Sequence, residues 1–160
     1  MGTVHDYTGG KVLEDIAKAL HVFGKTEGEL AGTDIGRRML DNIREFEPVV
    51  VSFDEAADAV HRADRVAVGE RVCRALHADS VFTESVFIDE LADAMVLEGL
   101  AGKCSAEEAE RVLKKYPKHP LIISKVSEKH QEICCSHPPE CVYWLAQKRG
   151  LGCLNKAAKS

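Results

Sequence analysis

The chain has 160 residues with 26 acidic and 21 basic side chains, so its formal net charge is −5 with neutral histidines. Apolar residues make up 45% of the chain, which excludes a mainly disordered protein and allows a core without cross-links. No apolar run of about 18 residues exists, and residues 1–20 lack the apolar stretch of a secretory signal. We therefore predict one cytoplasmic domain, 1–160, without a membrane span.

Charge divides the chain into two parts. Residues 1–110 carry 23 acidic and 11 basic side chains, whereas residues 111–160 carry 3 acidic and 10 basic ones. We predict an acidic helical part over 1–117, a basic cysteine-rich hairpin and helix over 118–155, and a polar tail over 156–160. The basic end suits a redox partner or another acidic protein. Nucleic acid is the weaker alternative, because lysines at helix ends are ordinarily solvated.

The first two thirds of the chain show apolar residues at helical spacing, with capping residues and glycines at the ends. Thr33, Ser52 and Ser105 are candidate caps, and Glu55 completes a capping box with Ser52. Val49–Val51 fits a strand or a buried connector. The predicted helices lie at about 12–23, 33–46, 52–63, 66–77, 83–98 and 105–116.

The pattern changes after His119-Pro120. Leu121 to Val126 and His130 to Cys135 are short β-prone runs around a turn, which predicts a β-hairpin. Prolines open a predicted C-terminal helix over 138–149, and Gly150 closes it. The fold class predicted is therefore mainly α: a bundle of five to seven helices with a small hairpin near 120–135 and a C-terminal helix.

The six cysteines carry the most chemical information. Cys134, Cys135, Cys141 and Cys153 form the pattern C-C-x5-C-x11-C, and Cys73 and Cys104 lie upstream. Thiolates are soft ligands that select zinc, copper(I) or iron–sulfur clusters. The C-terminal group lies among proline, glycine and charged residues, where a purely apolar role for the thiols is least expected.

Strand geometry narrows the ligand set. Cys134 and Cys135 are adjacent on a predicted strand, so their side chains point to opposite faces, and we favour Cys134 with Cys135 as its substitute. Cys141 is expected in the first turn of the last helix, where the dipole stabilises a thiolate. Cys153 follows a glycine turn. The fourth ligand is predicted to be Cys73, with Cys104 as the alternative.

The spacing favours a [4Fe–4S] cluster. It contains neither the short C-x2-4-C pair typical of zinc nor the C-x2-C-x2-C run of ferredoxins, so irregular loops would hold the metal. We predict a small iron–sulfur protein of an anaerobic cell, acting in electron transfer, in redox sensing or as an accessory subunit. The first alternative is a zinc-stabilised interaction module without catalysis.

Familiar enzyme motifs are missing from the sequence. No phosphate-binding loop, nucleophile elbow or H-E-x-x-H sequence occurs, so enzyme activity stays undecided. A thiol-based redox protein is the second alternative, for example with Cys135 and Cys141 as the reactive pair. Tyr143 and Trp144 follow Cys141 directly and would either shield a cofactor or pack the last helix on the core.

Overall fold

A β-sheet runs through the centre of the protein in the computed structural model. The structure describes residues 3–71, 76, 83–115, 118–136, 138 and 141–156. Its strands are β1 (Val49–Val51), β2 (Val66–Glu70), β3 (Glu84–Ile88), β4 (Ala101–Lys103), β5 (Leu121–Val126), β6 (Lys129–Cys135) and β7 (Asn155–Lys156). Its helices are α1 (Val4–Thr8), α2 (Lys11–Lys25), α3 (Asp34–Arg44), α4 (Phe53–Arg62), α5 (Asp89–Leu97), α6 (Ala106–Lys114) and α7 (Val142–Lys148).

The predicted fold class, a mainly α helical bundle, is wrong, because the fold is α+β. The strand order is β4-β2-β3-β6-β5-β1-β7. Strands β1 to β6 pair antiparallel with their neighbours, and the short β7 lies parallel to β1. The hairpin near 120–135 is present as β5 and β6, but it lies in the middle of this sheet and is not a small appendage.

Two segments account for most of the error. Helices were predicted over 66–77 and 83–98, yet β2 and β3 occupy the first half of each described stretch. Val86, Phe87 and Ile88 are all buried, so β3 ends in an apolar run of three residues. Such a run has no period of two and merges with the apolar residues of α5 into an apparent helix. Asp89, with φ 52°, marks the change from strand to helix.

The capping residues at three helix starts were predicted correctly, whereas the C-terminal helix predicted from residue 138 begins at Val142. Thr33, Ser52 and Ser105 cap α3, α4 and α6, and their side chains accept hydrogen bonds from main-chain amides three residues on. Glu55 returns a bond to the Ser52 amide and completes the capping box. Val49–Val51 is a strand. Gly150, with φ 87°, follows α7 as expected for a residue that ends a helix in the left-handed region.

The sheet separates two differently packed layers. Its first face is covered by α4 and α6, and the core there is apolar. Its second face is covered by α1, α2 and α5, while α3 and α7 pack against α2 beside them. None of the helices in the described ranges has the length and apolar character that crossing a bilayer requires.

Arg149 fixes the position of α7, which carries part of the site. Its guanidinium donates hydrogen bonds to the Gly28 carbonyl, to the Thr26 hydroxyl at 2.9 Å and to the Phe23 carbonyl at 3.4 Å. Its own carbonyl accepts from the Leu30 amide at 2.8 Å. The end of α7 is therefore bound to the segment that follows α2.

Candidate functional site

A small buried cavity lies on the second face, where β5 and β6 meet α1 and α7, and we name it the sulfur chamber. Its volume is about 50 Å³, which is room for ordered water. Burying polar groups costs folding free energy, so a dense group of them is typical of a functional site. The polar lining consists of Tyr7, Arg71, Glu132, Cys134, Ser136, Cys141 and Tyr143.

Glu132 is the carboxyl of the chamber. It lies on β6 opposite Phe87 of β3, and its side chain points to the second face, where the Tyr7 hydroxyl donates a hydrogen bond to Oε2. Burial raises the pKa of Glu132 to about 7, although the Tyr7 hydrogen bond and the charge of Arg71 both oppose the rise. This carboxyl can therefore gain or lose a proton near neutral pH.

Hydroxyl groups tie α7 to the hairpin around the chamber. Ser136 Oγ donates to the Pro120 carbonyl at 2.7 Å and accepts from Trp144 Nε1 at 2.8 Å. The Tyr143 hydroxyl shares a hydrogen bond of 3.3 Å with Ser124 on β5. These bonds hold the aromatic pair against the sheet, so the chamber wall is a fixed part of the fold.

Two of the predicted ligands, Cys134 and Cys141, line the chamber together. Both thiols face Tyr143 closely enough that their charge helps to raise its pKa, after the larger effect of burial. Cys141 is the residue just before α7 and not part of its first turn, because the helix begins at Val142. The structure therefore brings together thiols from the end of β6 and the start of α7.

Cys153 does not line the chamber but lies next to it, at the main chain of Tyr143. Its Sγ donates to the Tyr143 carbonyl at 3.3 Å, and the side chain packs with Ala146 and Leu151. Burial raises the pKa of Cys153 to about 11, so in this environment the residue is a thiol at neutral pH. Cys73, the predicted fourth ligand, lies outside the described residues.

The two remaining cysteines lie in another part of the protein. Cys135 is buried in the apolar core of the first face, where its Sγ is 4.0 Å from the Leu113 carbonyl. Burial raises the pKa of Cys135 to about 11. Cys104 packs against the same core, and burial with the charge of Glu108 raises its pKa as well. The structure thus places Cys135, the substitute considered for Cys134, and Cys104, the alternative to Cys73, away from the chamber. It also separates Cys135 from Cys141, which were considered as a reactive pair.

In the part of the chain that the structure describes, the potential metal-ligating side chains do not converge on a single ion. No group of three or more His, Cys, Asp or Glu side chains there is arranged to hold one metal ion. Three of the described thiols instead stand around Tyr143: Cys134 and Cys141 on its chamber side and Cys153 at its main chain.

A larger groove adjoins the chamber, and we name it the entry groove. Its volume is about 540 Å³, within the range of small-molecule sites. Five residues line both cavities: Val12, Ile16, Phe46, Val142 and Tyr143. Charged residues from α2, including Lys11, Asp15 and Lys18, stand around the groove. The chamber and the groove therefore share part of their walls, and Cys134 and Cys141 line only the chamber.

Sequence reasoning missed three chamber residues: Tyr7, Arg71 and Glu132. Tyr7 and Glu132 are 125 positions apart, and no local pattern predicts such a pair. One signal was available for Glu132, which is a charged residue flanked by buried positions on a predicted strand. A charge at such a position indicates either an exposed strand face or a buried site.

Comparison with protein-family models, curated proteins and solved structures finds no match to this chain.

Proposed function

We propose that the protein binds a thiolate-ligated [4Fe–4S] cluster at the sulfur chamber and acts in electron transfer, in redox sensing or as an accessory subunit. The observation that carries the proposal is the joint lining of one buried chamber by Cys134 and Cys141. Both were selected from sequence spacing, and they come from different elements. Cys153, next to the same tyrosine, is the third ligand of the proposal, and Cys73 is the fourth.

The spread of the thiols suits a cluster better than zinc. A zinc ion gathers its four ligands at about 2.3 Å from one centre. In a [4Fe–4S] cluster each thiolate binds a different iron, so the sulfur atoms lie farther apart. Cys134 and Cys141 line the chamber and Cys153 lies at the Tyr143 main chain, so the three thiols are not gathered around one point, which favours a cluster over zinc.

The surroundings also support a buried redox centre. Arg71 is only 2% exposed and supplies a positive charge that offsets the negative charge of thiolates. Tyr143 is half-buried and lines the chamber together with Cys134 and Cys141, and the groups that surround a cluster tune its reduction potential.

The test is anaerobic purification followed by a visible spectrum and assays for iron, sulfide and zinc. We expect an absorption band near about 400 nm and about four irons per chain. The variants C134S, C141S, C153S and C73S should each lose iron, whereas the matched controls C135S and C104S should retain it. Full iron content in both C134S and C141S would contradict the proposal.

A reversible dithiol pair is the second candidate, because Cys134 and Cys141 share the chamber with Glu132. One thiolate would attack a substrate disulfide and expel one of its sulfurs as a thiol. The other would then attack the mixed disulfide, form the Cys134–Cys141 disulfide and expel the second thiol, so the protein is oxidised as the substrate is reduced. Glu132 can accept the proton of the attacking thiol. A colourless protein without zinc that forms a Cys134–Cys141 disulfide with oxidised glutathione would favour this function over the cluster.

The partner of either redox centre is proposed to be an acidic protein. Exposed basic side chains after residue 110 include Arg111, Lys118, Lys129 and Lys148. Several neighbours are already used within the chain, since Lys115 pairs with Glu84 at 2.6 Å. Association that weakens steeply with added salt would support such a partner.

A further inference from the structure

An exposed apolar patch lies where the chain passes from α5 into β4, far from the sulfur chamber in the strand order. Among the described residues five large apolar side chains are exposed, and three of them belong to this corner: Val96, Leu97 and Leu100. Val96 and Leu97 line a groove of about 270 Å³ together with Lys103 of β4, so they lie on the side of α5 that faces the edge of the sheet. Clustered apolar side chains at a surface are typical of an interaction site, whereas single ones are ordinary.

Strand β4 beside this patch is an edge of the sheet, because among the described strands it pairs only with β2. The Cys104 amide donates to the Val66 carbonyl at 3.0 Å, which fixes the direction of the main-chain groups along the strand. These groups alternate in an antiparallel pair, so those of Gly102 also point to β2, while those of Ala101 and Lys103 point away from the sheet. The edge therefore offers two amides and two carbonyls to a further strand.

The main chain of this edge is complementary to a second copy of itself. When two β4 strands pair antiparallel about a twofold axis at Gly102, Ala101 of each copy stands opposite Lys103 of the other. Both residues direct their main-chain groups outward, so each opposed pair can exchange two hydrogen bonds. Gly102 meets its own counterpart at the axis, and the space beside its Cα is open. A twofold pairing thus satisfies all outward main-chain groups of β4.

The charges of the same stretch are complementary in that arrangement as well. Glu98 and Lys103 are both exposed, and neither forms an ion pair with another described residue. Ala101 packs with the core beneath α5, so a lysine opposite it lies on the face that carries α5 and Glu98. Antiparallel pairing therefore brings the basic end of each copy to the acidic end of the other, whereas parallel pairing would place like charges side by side.

We propose that β4 and the adjoining end of α5 form a twofold interface between two copies of this chain. The two sheets join edge to edge, and Val96 and Leu97 of both copies pack across the axis on the face that α5 covers. A strand of three residues makes a small interface, so we expect a reversible dimer with a dissociation constant of about 10–100 µM. This interface is separate from the sulfur chamber and does not depend on a bound cofactor.

The experiment is analytical ultracentrifugation of the purified full chain with a reductant, from about 1 µM to about 1 mM. We expect a monomer–dimer equilibrium for the wild type. K103E and E98K each bring like charges together and should weaken the dimer at least about tenfold, whereas the double variant E98K/K103E should restore it. K129E is the matched control, because it makes the same change of charge at an exposed residue of β6.

Cross-linking tests the position of the axis. The two Gly102 residues would form a non-hydrogen-bonded pair with Cα atoms about 4.5 Å apart, which suits a disulfide. G102C should therefore give a disulfide-linked dimer on mild oxidation, whereas E107C, at another exposed position, should not. A wild type that stays monomeric up to about 1 mM would overturn the inference and leave the patch to a different partner. A dimer that K103E and E98K leave unchanged would also overturn it.

Discussion

The two faces of the sheet are built from the same strands, but one face carries an apolar core and the other carries the sulfur chamber. On the first face, β6 contributes Ile133 and Cys135 to an apolar core beneath α4 and α6. On the second face it contributes Glu132 and Cys134 to the sulfur chamber. The first face stabilises the protein by burial, whereas the second contains costly polar groups. A cysteine's position along the chain is therefore a poor guide to its role, because neighbours 134 and 135 belong to different environments.

The largest loss of stability is expected from a substitution on the apolar face. Ile133 is fully buried there, so I133A should lower the free energy of unfolding by about 2–5 kcal/mol through lost burial and a new cavity. Denaturant unfolding followed by circular dichroism measures the change. The control is L97A, at a side chain that is 84% exposed, and it should change stability little. A loss below about 1 kcal/mol in I133A would show that the two faces are not energetically distinct.

The buried carboxyl on the polar face should make the stability of the protein depend on pH. The pKa of Glu132 is raised from 4.5 to about 7 by burial, so between these values the native state binds more protons than the unfolded state. Stability of the metal-free protein should therefore be highest below about pH 4.5 with respect to this group. It should fall by about 3 kcal/mol as the pH rises to about 7, and then level off.

The variant E132Q tests this assignment, because it is neutral at every pH. Its stability, measured by denaturant unfolding at several pH values, should lack the Glu132 contribution and should exceed that of the wild type above pH 7. An equal pH dependence in both proteins would contradict the assignment.

A smaller loss of stability is expected when a hydrogen bond that fixes the chamber wall is removed. S136A removes the acceptor for Trp144 Nε1 and should cost about 1–3 kcal/mol. Trp144 is the only tryptophan, so its fluorescence reports the site directly. A double-mutant cycle with W144F, followed by circular dichroism, isolates the pair. A coupling energy near zero would mean that the wall does not depend on this bond.

The smallest effect is expected at the edge of the entry groove. Lys18 and Glu14 form an exposed ion pair of 3.2 Å on α2. K18A should change stability by no more than about 0.5 kcal/mol, because exposed pairs are screened by water and salt. Urea unfolding at low and high salt provides the measurement. A larger loss would indicate that the helix surface is not as independent of the core as the structure implies.

Local signals and long-range pairing differ in how well the sequence predicts them. The caps at Thr33, Ser52 and Ser105 and the β5–β6 hairpin depend on neighbouring residues, and they were predicted. The strands β2 and β3 become recognisable only through their pairing with each other. Their apolar runs satisfied a helical period by coincidence, because both faces of the sheet are covered.

In the candidate site, too, the features that depend on neighbouring residues were predicted and the long-range contacts were not. Strand alternation separated Cys134 from Cys135, and the thiols near the C-terminus were recognised by their spacing. The carboxyl of Glu132 and its contact with Tyr7 depend on α1 folding back over the sheet from the other end of the chain. No local pattern predicts that contact, so the acid–base part of the chamber became visible only in three dimensions.

The short strand β7 covers part of the edge of β1. It lies parallel to β1, with Asn155 opposite Val49 and Lys156 opposite Val50, and the Asn155 amide donates to the Pro48 carbonyl at 3.2 Å. Without it, three consecutive valines would present an open edge of unpaired amides and carbonyls, which is a template for aggregation. We therefore expect a chain cut before Asn155 to aggregate at lower concentrations than the longer chain, which light scattering would measure.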